Sequence, residues 1–226
     1  MKKHLVVLTG AGISAESGLQ TFRDSDGLWM GYNVDEVATP GAFKKNPELV
    51  LEFYNKRRKD VADAIPNAAH KGLAMLEEKF HVNVITQNID DLHERGGSAN
   101  VLHLHGEIFK MHSCKNCMNT FDIRDDIMIG QLAPDGSQLR PAIVWFEEPV
   151  PMIELAAEIM ATADIFVLIG TSLQVYPAAG LIHYLPADTP MYIIDKKIPV
   201  LPHGFSVHAI EKNATEGVAE LLQILM

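Results

Sequence analysis

The chain has 226 residues, enough for one large domain or an ordinary domain with a small satellite. Hydrophobic residues at 47% against 21% charged exclude extended disorder, and a net charge of −10 has the wrong sign for holding a nucleic-acid backbone. No apolar run is long enough to span a bilayer, and Lys2-Lys3 before Leu5-Val6-Val7-Leu8 is too short for an export signal, so a cytoplasmic protein away from the membrane is expected.

The first expected strand, Leu5–Thr9, is apolar almost throughout, as strands buried on both faces are. It runs into Gly10-Ala11-Gly12-Ile13-Ser14-Ala15, which fits G-x-G-x-x-G/A directly after a strand. Glycines there permit a tight turn and close approach to a pyrophosphate, and a following helix N-terminus would add N–H donors. A plain glycine-rich turn is the alternative. The acidic residue that should close a second strand about twenty residues on is missing, because Asp35 and Glu36 follow no strand. That disfavours a standard dehydrogenase.

A helix is expected after Asn46, with Pro47 at its first position and Glu48 next. Val50, Phe53, Val61 and Ala64 share its apolar stripe, and Tyr54 and Arg57 lie on that stripe as neighbours. Lys56, Arg58 and Lys59 fall off it and are expected in water. A guanidinium on an inward stripe needs an anionic partner: an internal carboxylate, or a ligand, unless the side chain snorkels out. A second helix covers Asn67–Glu78, and a strand covers Val82–Thr86.

Thr86-Gln87-Asn88-Ile89-Asp90 follows that strand with three polar side chains where a helix cap needs one. In Val101-Leu102-His103-Leu104-His105-Gly106, alternation places His103 and His105 on one face, as structural residues or as catalysts. From about Ile108 to Arg140 the rhythm breaks into a small inserted module carrying Cys114, Cys117 and the turn-like Ala133-Pro134-Asp135-Gly136-Ser137. A single C-x-x-C points to metal or redox use. Then come a helix over Pro151–Ala161, strands Ile165–Ile169 and Met191–Ile194, and a helix over Ala214–Leu222. Gly170-Thr171-Ser172 sits at a strand's carboxyl end. This alternation predicts an α/β fold: a Rossmann-type parallel sheet with helices on both faces, and ligands at the carboxyl ends of the strands.

Gly10-Ala11-Gly12-Ile13-Ser14 through Phe22-Arg23, Gln87-Asn88-Ile89-Asp90, His105-Gly106 and Gly170-Thr171-Ser172 stand in the order and spacing of the sirtuins. The chain most resembles the bacterial NAD-dependent protein deacylases of that family, from Leu5 to about Leu222. The resemblance implies an NAD-binding Rossmann-type domain over 1–35, 82–107 and 141–226. It also implies a helical insertion over 36–81 with acyl-pocket residues, and a small module over 108–140 like a degenerate zinc ribbon. NAD is consumed as co-substrate. Gly10, Ala11, Gly12, Arg23, Gly170, Thr171 and Ser172 would hold its pyrophosphate and ribose. Gln87 and Asn88 would meet the nicotinamide ribose, Asp90 the carboxamide, and Phe22 would shield the reacting centre. Asp195 and Ala214 would meet the adenosine end.

On this resemblance the acyl oxygen attacks the ribose carbon as nicotinamide leaves, and His105, as general base, draws a proton from a ribose hydroxyl. The products implied are free lysine, nicotinamide and O-acyl-ADP-ribose. Val144 and Phe146 would bind the substrate backbone. Sirtuins that remove negatively charged acyl groups carry Tyr-x-x-Arg where Tyr54 and Arg57 stand, and Ala15 matches their roomy pocket. A succinyl- or malonyl-lysine is therefore expected, with acetyl-lysine also accepted.

Two features depart from the family. Its second C-x-x-C pair is absent from Leu132-Ala133-Pro134-Asp135-Gly136-Ser137, and two thiolates do not close a tetrahedral site. His112 and Asp135 are the remaining candidate ligands, and zinc is not expected. Glu147 stands where the family usually has glycine, on the strand thought to pair with the peptide. Its carboxylate would crowd the peptide, attract basic residues beside the target lysine, or point to solvent. The expected partners are acyl-lysine segments of other proteins. Nucleic acid and membrane are not expected, nor is oligomerisation. The competing functions are an NAD- or ADP-ribose-binding module with weak turnover and, less favoured, an NAD-linked oxidoreductase.

Overall fold

Alternate residues of β1 (His4–Thr9) feed two different cores. Leu5 and Val7 pack with Val82, Val84, Val167 and Ile169 on one side, while Val6 and Leu8 pack with Ile85, Phe166 and Leu168 on the other. Burial of each such side chain contributes roughly 1.5–3 kcal/mol. A strand that must satisfy both faces reads as an uninterrupted apolar run. The computed structural model describes residues 2–20, 28–29, 31–201 and 206–226. Phe22 and Arg23 lie outside the described residues.

After β1 come two 3-10 turns, Ala11–Ile13 and Ala15–Ser17, then a ribbon of β2 (Leu28–Trp29) and β3 (Tyr32–Asn33). Four helices follow: α1 (Val34–Val37), α2 (Pro40–Lys45), α3 (Pro47–Asp63) and α4 (Ala68–Met75). The chain continues through β4 (His81–Thr86), α5 (Leu92–Gly96), β5 (Val101–His103), β6 (Gly106–Ser113), β7 (Thr120–Asp122) and β8 (Leu139–Ile143). It ends with α6 (Ile153–Met160), β9 (Ile165–Ile169), a 3-10 stretch Ala178–Tyr184, β10 (Met191–Ile194), β11 (Val207–Ile210) and α7 (Ala214–Leu225).

Six strands form a parallel sheet in the order β11-β10-β9-β1-β4-β5. From β1 the chain builds outward through β4 and β5, then returns to place β9 on β1's other side. The switch point therefore lies between β1 and β9, where α/β sheets bind ligands. Residues of α4 and α7 cover one face (Ala69, Leu73, Val218, Leu221), and α6 with the last 3-10 stretch covers the other (Ala156, Met160, Leu181, Ile182). The α/β fold expected from the sequence is present, with β5 and β11 as additional edge strands.

The second lobe joins two stretches far apart in sequence. Val50, Phe53, Tyr54 and Val61 of α3 pack with Ile108 and Phe109 of β6, Ile143 of β8 and Trp145. The antiparallel sheet β7-β6-β8 thus rests on α1–α3. Of the segment 36–81, α4 packs instead beneath the parallel sheet.

Arg58 corrects the sequence reading. It was expected in water, yet it is among the most buried side chains, with Nε donating to the Ile108 carbonyl at 2.9 Å and NH1 to Asn55 Oδ1 at 2.8 Å. The helical stripe accounts for one side of α3, and the small module covers another that periodicity could not anticipate. Lys56 and Lys59 are exposed as expected.

Candidate active site

Apart from Phe22 and Arg23, the residues assigned to NAD, to catalysis and to the acyl substrate line one cavity of about 480 Å³ at the carboxyl ends of β1, β4, β9 and β10. Gly10–Gly12 follow β1, Gln87–Asp90 follow β4, Gly170–Ser172 follow β9, and Asp195 follows β10. Ala214 opens α7. Tyr54 and Arg57 reach the cavity from the second lobe, as do Val144 and Phe146 beyond β8.

The glycines are required first by the protein itself. Gly12 N–H donates to the Gly170 carbonyl at 2.9 Å, and a Cβ on Gly12 would lie 2.6 Å from Gly170 Cα. Gly170 has φ +64, and its own Cβ would meet Ile13 N at 2.5 Å. The turns after β1 and β9 thus touch backbone to backbone, and side chains would force them apart. The helix expected after β1 does not form; two single 3-10 turns stand there, ended by Gly18 at φ 88. Ser14, between them, is held by the loop after β4.

That loop is tightly bound. Gln87 Nε2 donates to Thr171 Oγ1 (3.1 Å), Asn88 N–H to Thr86 Oγ1 (3.0 Å), and Asn88 Nδ2 to Ser14 Oγ (3.1 Å). Ser14 Oγ donates in turn to Asp90 Oδ2 (3.1 Å), while Asp90 Oδ1 accepts the Leu92 N–H at the start of α5 (3.2 Å). Asp90 therefore serves the helix and the cavity together. Burial pushes its carboxyl up, and the Leu92 N–H, Ser14 and the Arg57 charge oppose that shift. Ser14 belongs to the glycine motif but was not singled out; only the fold brings it to Asp90.

His105 Nδ1 lies 3.0 Å from the Gln87 carbonyl. A carbonyl only accepts, so Nδ1 carries the proton and the neutral ring's lone pair is on Nε2. Burial lowers the ring's pKa, and the Gln87 contact offsets this in part. The imidazole is thus neutral and basic at neutral pH, as a general base needs.

His103 does not share this cavity, contrary to the alternation reading. β5 ends at His103 and the chain bends, so His103 faces a second cavity of about 240 Å³ behind the Gln87–Asp90 loop.

Tyr54 is fully buried and Arg57 is 6% exposed. Burial pushes the Tyr54 hydroxyl up, with Trp145 and Arg140 opposing, so it remains a donor at working pH. Burial lowers the Arg57 pKa, and the fields of Asp90, Asp60 and Tyr54 raise it. Trp145 packs beside Tyr54 at 6.2 Å between ring centroids. It carries the Arg140 guanidinium at 3.8 Å on its other contact, and Arg140 pairs with Glu148 at 2.9 Å. No sequence motif marked this Trp145–Arg140–Glu148 support.

The segment expected as a peptide-pairing strand is a turn beyond β8. Glu148 N–H donates to the Trp145 carbonyl at 3.1 Å, Phe146 N–H to Ala38 at 3.0 Å, and Val144 N–H to His105 at 2.9 Å. Glu147 sits at φ 72, the left-handed region that favours glycine. Its side chain is exposed at the cavity's edge.

In the small module Cys114 and Cys117 are exposed thiols. Among the described residues no three His, Cys, Asp or Glu side chains come together as a metal site. His112 is turned inward, with Nδ1 on the Ser113 carbonyl (2.7 Å) and Nε2 accepting from Arg140 (3.3 Å). Asp135 is bound by Ser113 and Ser137 at 2.5 and 2.6 Å. The donor set does not fit tetrahedral zinc.

A parallel sheet with its ligand cavity at the switch point, a buried carboxylate and a neutral histidine beneath it, and a second lobe closing one side define an α/β nucleotide-dependent enzyme architecture. The Sir2 family profile matches residues 10–177, and the chain belongs to that family. It is 53% identical to a Bacteroides thetaiotaomicron protein named NAD-dependent protein deacylase, covering 99% of this chain and 98% of that one. A Helicobacter pylori protein of the same name is 49% identical, with 99% and 98% covered. Among solved structures, a Sir2 homologue–NAD complex superposes with TM-score 0.88 at 39% identity, covering 99% and 90% of the two chains. A Sir2–p53 peptide–NAD+ complex superposes with TM-score 0.80 at 29% identity, covering 99% and 93%. Among the described residues no helix is long and apolar enough to cross a membrane.

Proposed function

We propose that this Sir2-family enzyme is an NAD-dependent protein-lysine deacylase whose pocket selects acyl groups ending in a carboxylate, succinyl and malonyl, while accepting acetyl. The observation that carries the acyl preference is the buried Tyr54–Arg57 pair on the wall of the cavity that also holds His105. A guanidinium kept in a dry wall is suited to a ligand carboxylate.

The chain fits NAD by its donor set: Thr171 and Ser172 hydroxyls, the Gln87 and Asn88 amides, the buried Asp90 carboxyl, and Lys196, Lys197 and Lys212 toward the Asp195 end. NAD, when bound, supplies a ribosyl carbon with nicotinamide as leaving group. Asn88 and Asp90, fixed through Ser14, would orient the nicotinamide half. Gly10–Gly12 and Gly170–Ser172 would receive the phosphates and ribose, and Asp195 and Ala214 the adenosine. His105 would take a proton from a ribose hydroxyl on Nε2. Val144 and Phe146 align an acyl-lysine segment of another protein. One water is consumed with NAD and the acyl-lysine, and the products are free lysine, nicotinamide and O-acyl-ADP-ribose.

The test follows nicotinamide with NAD and succinyl-, malonyl- or acetyl-lysine peptides. Release dependent on acyl peptide is expected, and His105→Ala should cost about two to four decades in rate with NAD binding retained in calorimetry. NAD binding without release would favour the binding-module reading, for which the strained Glu147 at the cavity edge is the supporting observation.

A further inference from the structure

The loop between β4 and α5 presents three successive carbonyls, and each is taken by a different residue of the 103–108 stretch. Gln87 C=O faces His105 Nδ1 (3.0 Å), Asn88 C=O faces His103 Nδ1 (2.9 Å), and Ile89 C=O accepts from Ile108 N–H (2.9 Å). His103 Nε2 lies 2.7 Å from Glu94 Oε1. Both partners of His103 are pure acceptors, so both ring nitrogens must donate and the ring is an imidazolium.

We propose that His103 is a positioning residue: bridging the Asn88 carbonyl and the Glu94 carboxylate as an imidazolium, it clamps the catalytic loop from behind and holds the adjacent Gln87 carbonyl where His105 needs it. The inference rests on the deacylase reading only for its kinetic consequence. A neutral His103 keeps one N–H and must release either Asn88 or Glu94. Releasing Asn88 loosens the peptide that carries the Gln87 carbonyl, and with it the Nδ1–H tautomer of His105.

The charged surroundings favour the imidazolium. The His103 side chain is 7% exposed. Glu94 faces it from α5, Glu107 from β6 and Asp90 from the loop; Asp91, just ahead of α5, and Asp122 line the same small cavity. The opposing cations are mostly engaged: Lys110 is bound to Glu107 at 2.7 Å, and Arg124 lies 3.8 Å from Asp91. His93, fully buried, is held neutral by burial. Burial lowers the His103 pKa, but the Glu94 contact outweighs it and the net direction is upward.

The experiment follows His103 and His105 ring nitrogens by NMR from pH 5 to 9 in the full chain, with resonances assigned from His103→Gln and His105→Ala. His103 should titrate above the free-histidine value of about 6.5, and the His105 signals should shift with the same midpoint. In Glu94→Gln both midpoints should fall together by about one unit or more. In parallel, kcat for nicotinamide release should fall on the alkaline side with that midpoint, and the fall should move with it in Glu94→Gln while KM for NAD stays within about twofold. His105 signals indifferent to the His103 titration would overturn the clamp. So would an alkaline limb unmoved by Glu94→Gln. A wild-type chain that released no nicotinamide would count against the deacylase reading, and the coupled NMR titration would still decide the clamp.

Discussion

Replacing Arg57 by Met tests the acyl preference most directly, because the structure bounds the side effects. Arg57 is 6% exposed, so the folded enzyme already bears the cost of stripping water from its charge. A substrate carboxylate would meet a preorganised donor. A charge-assisted hydrogen bond contributes roughly 1.5–3 kcal/mol, which is about one to two decades in kcat/KM at about 1.4 kcal/mol per decade. Met is close in length and apolar, and replacing a buried charge by an apolar chain costs the fold little. The melting temperature should therefore hold or rise. One side effect is built in: Arg57 helps hold the Asp90 carboxyl down, so its loss pushes Asp90 further up. Deacetylation should change by only a few-fold through that route. The assay is the succinyl-to-acetyl ratio of kcat/KM in both proteins, with Tyr54→Phe lowering it in the same direction and more mildly. An unchanged ratio would mean that Arg57 serves internal carboxylates, Asp90 and Asp60, whose fields reach it. An equal fall in both activities would mark it as structural.

Further outcomes follow from the same geometry. Purified protein should hold no stoichiometric zinc, and chelator should leave fold and activity intact; elemental analysis finding one tightly held zinc per chain would refute this. Burial holds His70 at a pKa of about 4 against 6.5 unfolded. Its contribution is present above pH 6.5 and is lost as pH falls to 4, about 2.5 units or ~3 kcal/mol. That is a large share of a typical 5–15 kcal/mol. His70→Gln, which can keep the capping contact with Asn67, should flatten the fall of melting temperature between pH 7 and 4.5, and an unchanged slope would refute the assignment. Glu147→Gly removes a left-handed strain of roughly 1–2 kcal/mol at the cost of about 0.5–1 kcal/mol in chain entropy. It should raise the melting temperature slightly and lower any preference for basic residues beside the target lysine; a clear drop in melting temperature would show that the strain is not there.

The parts of the fold legible in the sequence are those with two apolar faces. Ile165–Ile169 and Met191–Ile194 match their strands end to end, because a central parallel strand leaves no polar position to blur its limits. The edge strands β5 and β11 are short and half-polar, with His103 and His208 in them: alternation over 101–106 touched β5 without giving its limit, and nothing in the pattern announced β11. The helix expected after β1 is replaced by two 3-10 turns ended by Gly18 at φ 88, in a stretch whose glycines favour tight turns over a helix.

The residues that gather at the cavity were legible because strand ends and glycine turns impose local signatures, and because Tyr54 and Arg57 break an apolar stripe. Alternation alone did not tell the two histidines apart, since the bend at Leu104 sends His103 and His105 into separate cavities; only the family resemblance singled out His105. Nor was the burial of Arg58, which depends on a module some fifty residues away; its Nε bond to Ile108 spans 50 positions. The sequence by itself determined the strand-end chemistry, because backbone geometry and hydrophobic period are local. Only the tertiary structure decided the protonation of His105 and His103, the double duty of Asp90 and the shared wall of Tyr54 and Arg57. Burial and the hydrogen-bond partner set each of these, and both come from elements distant in the chain.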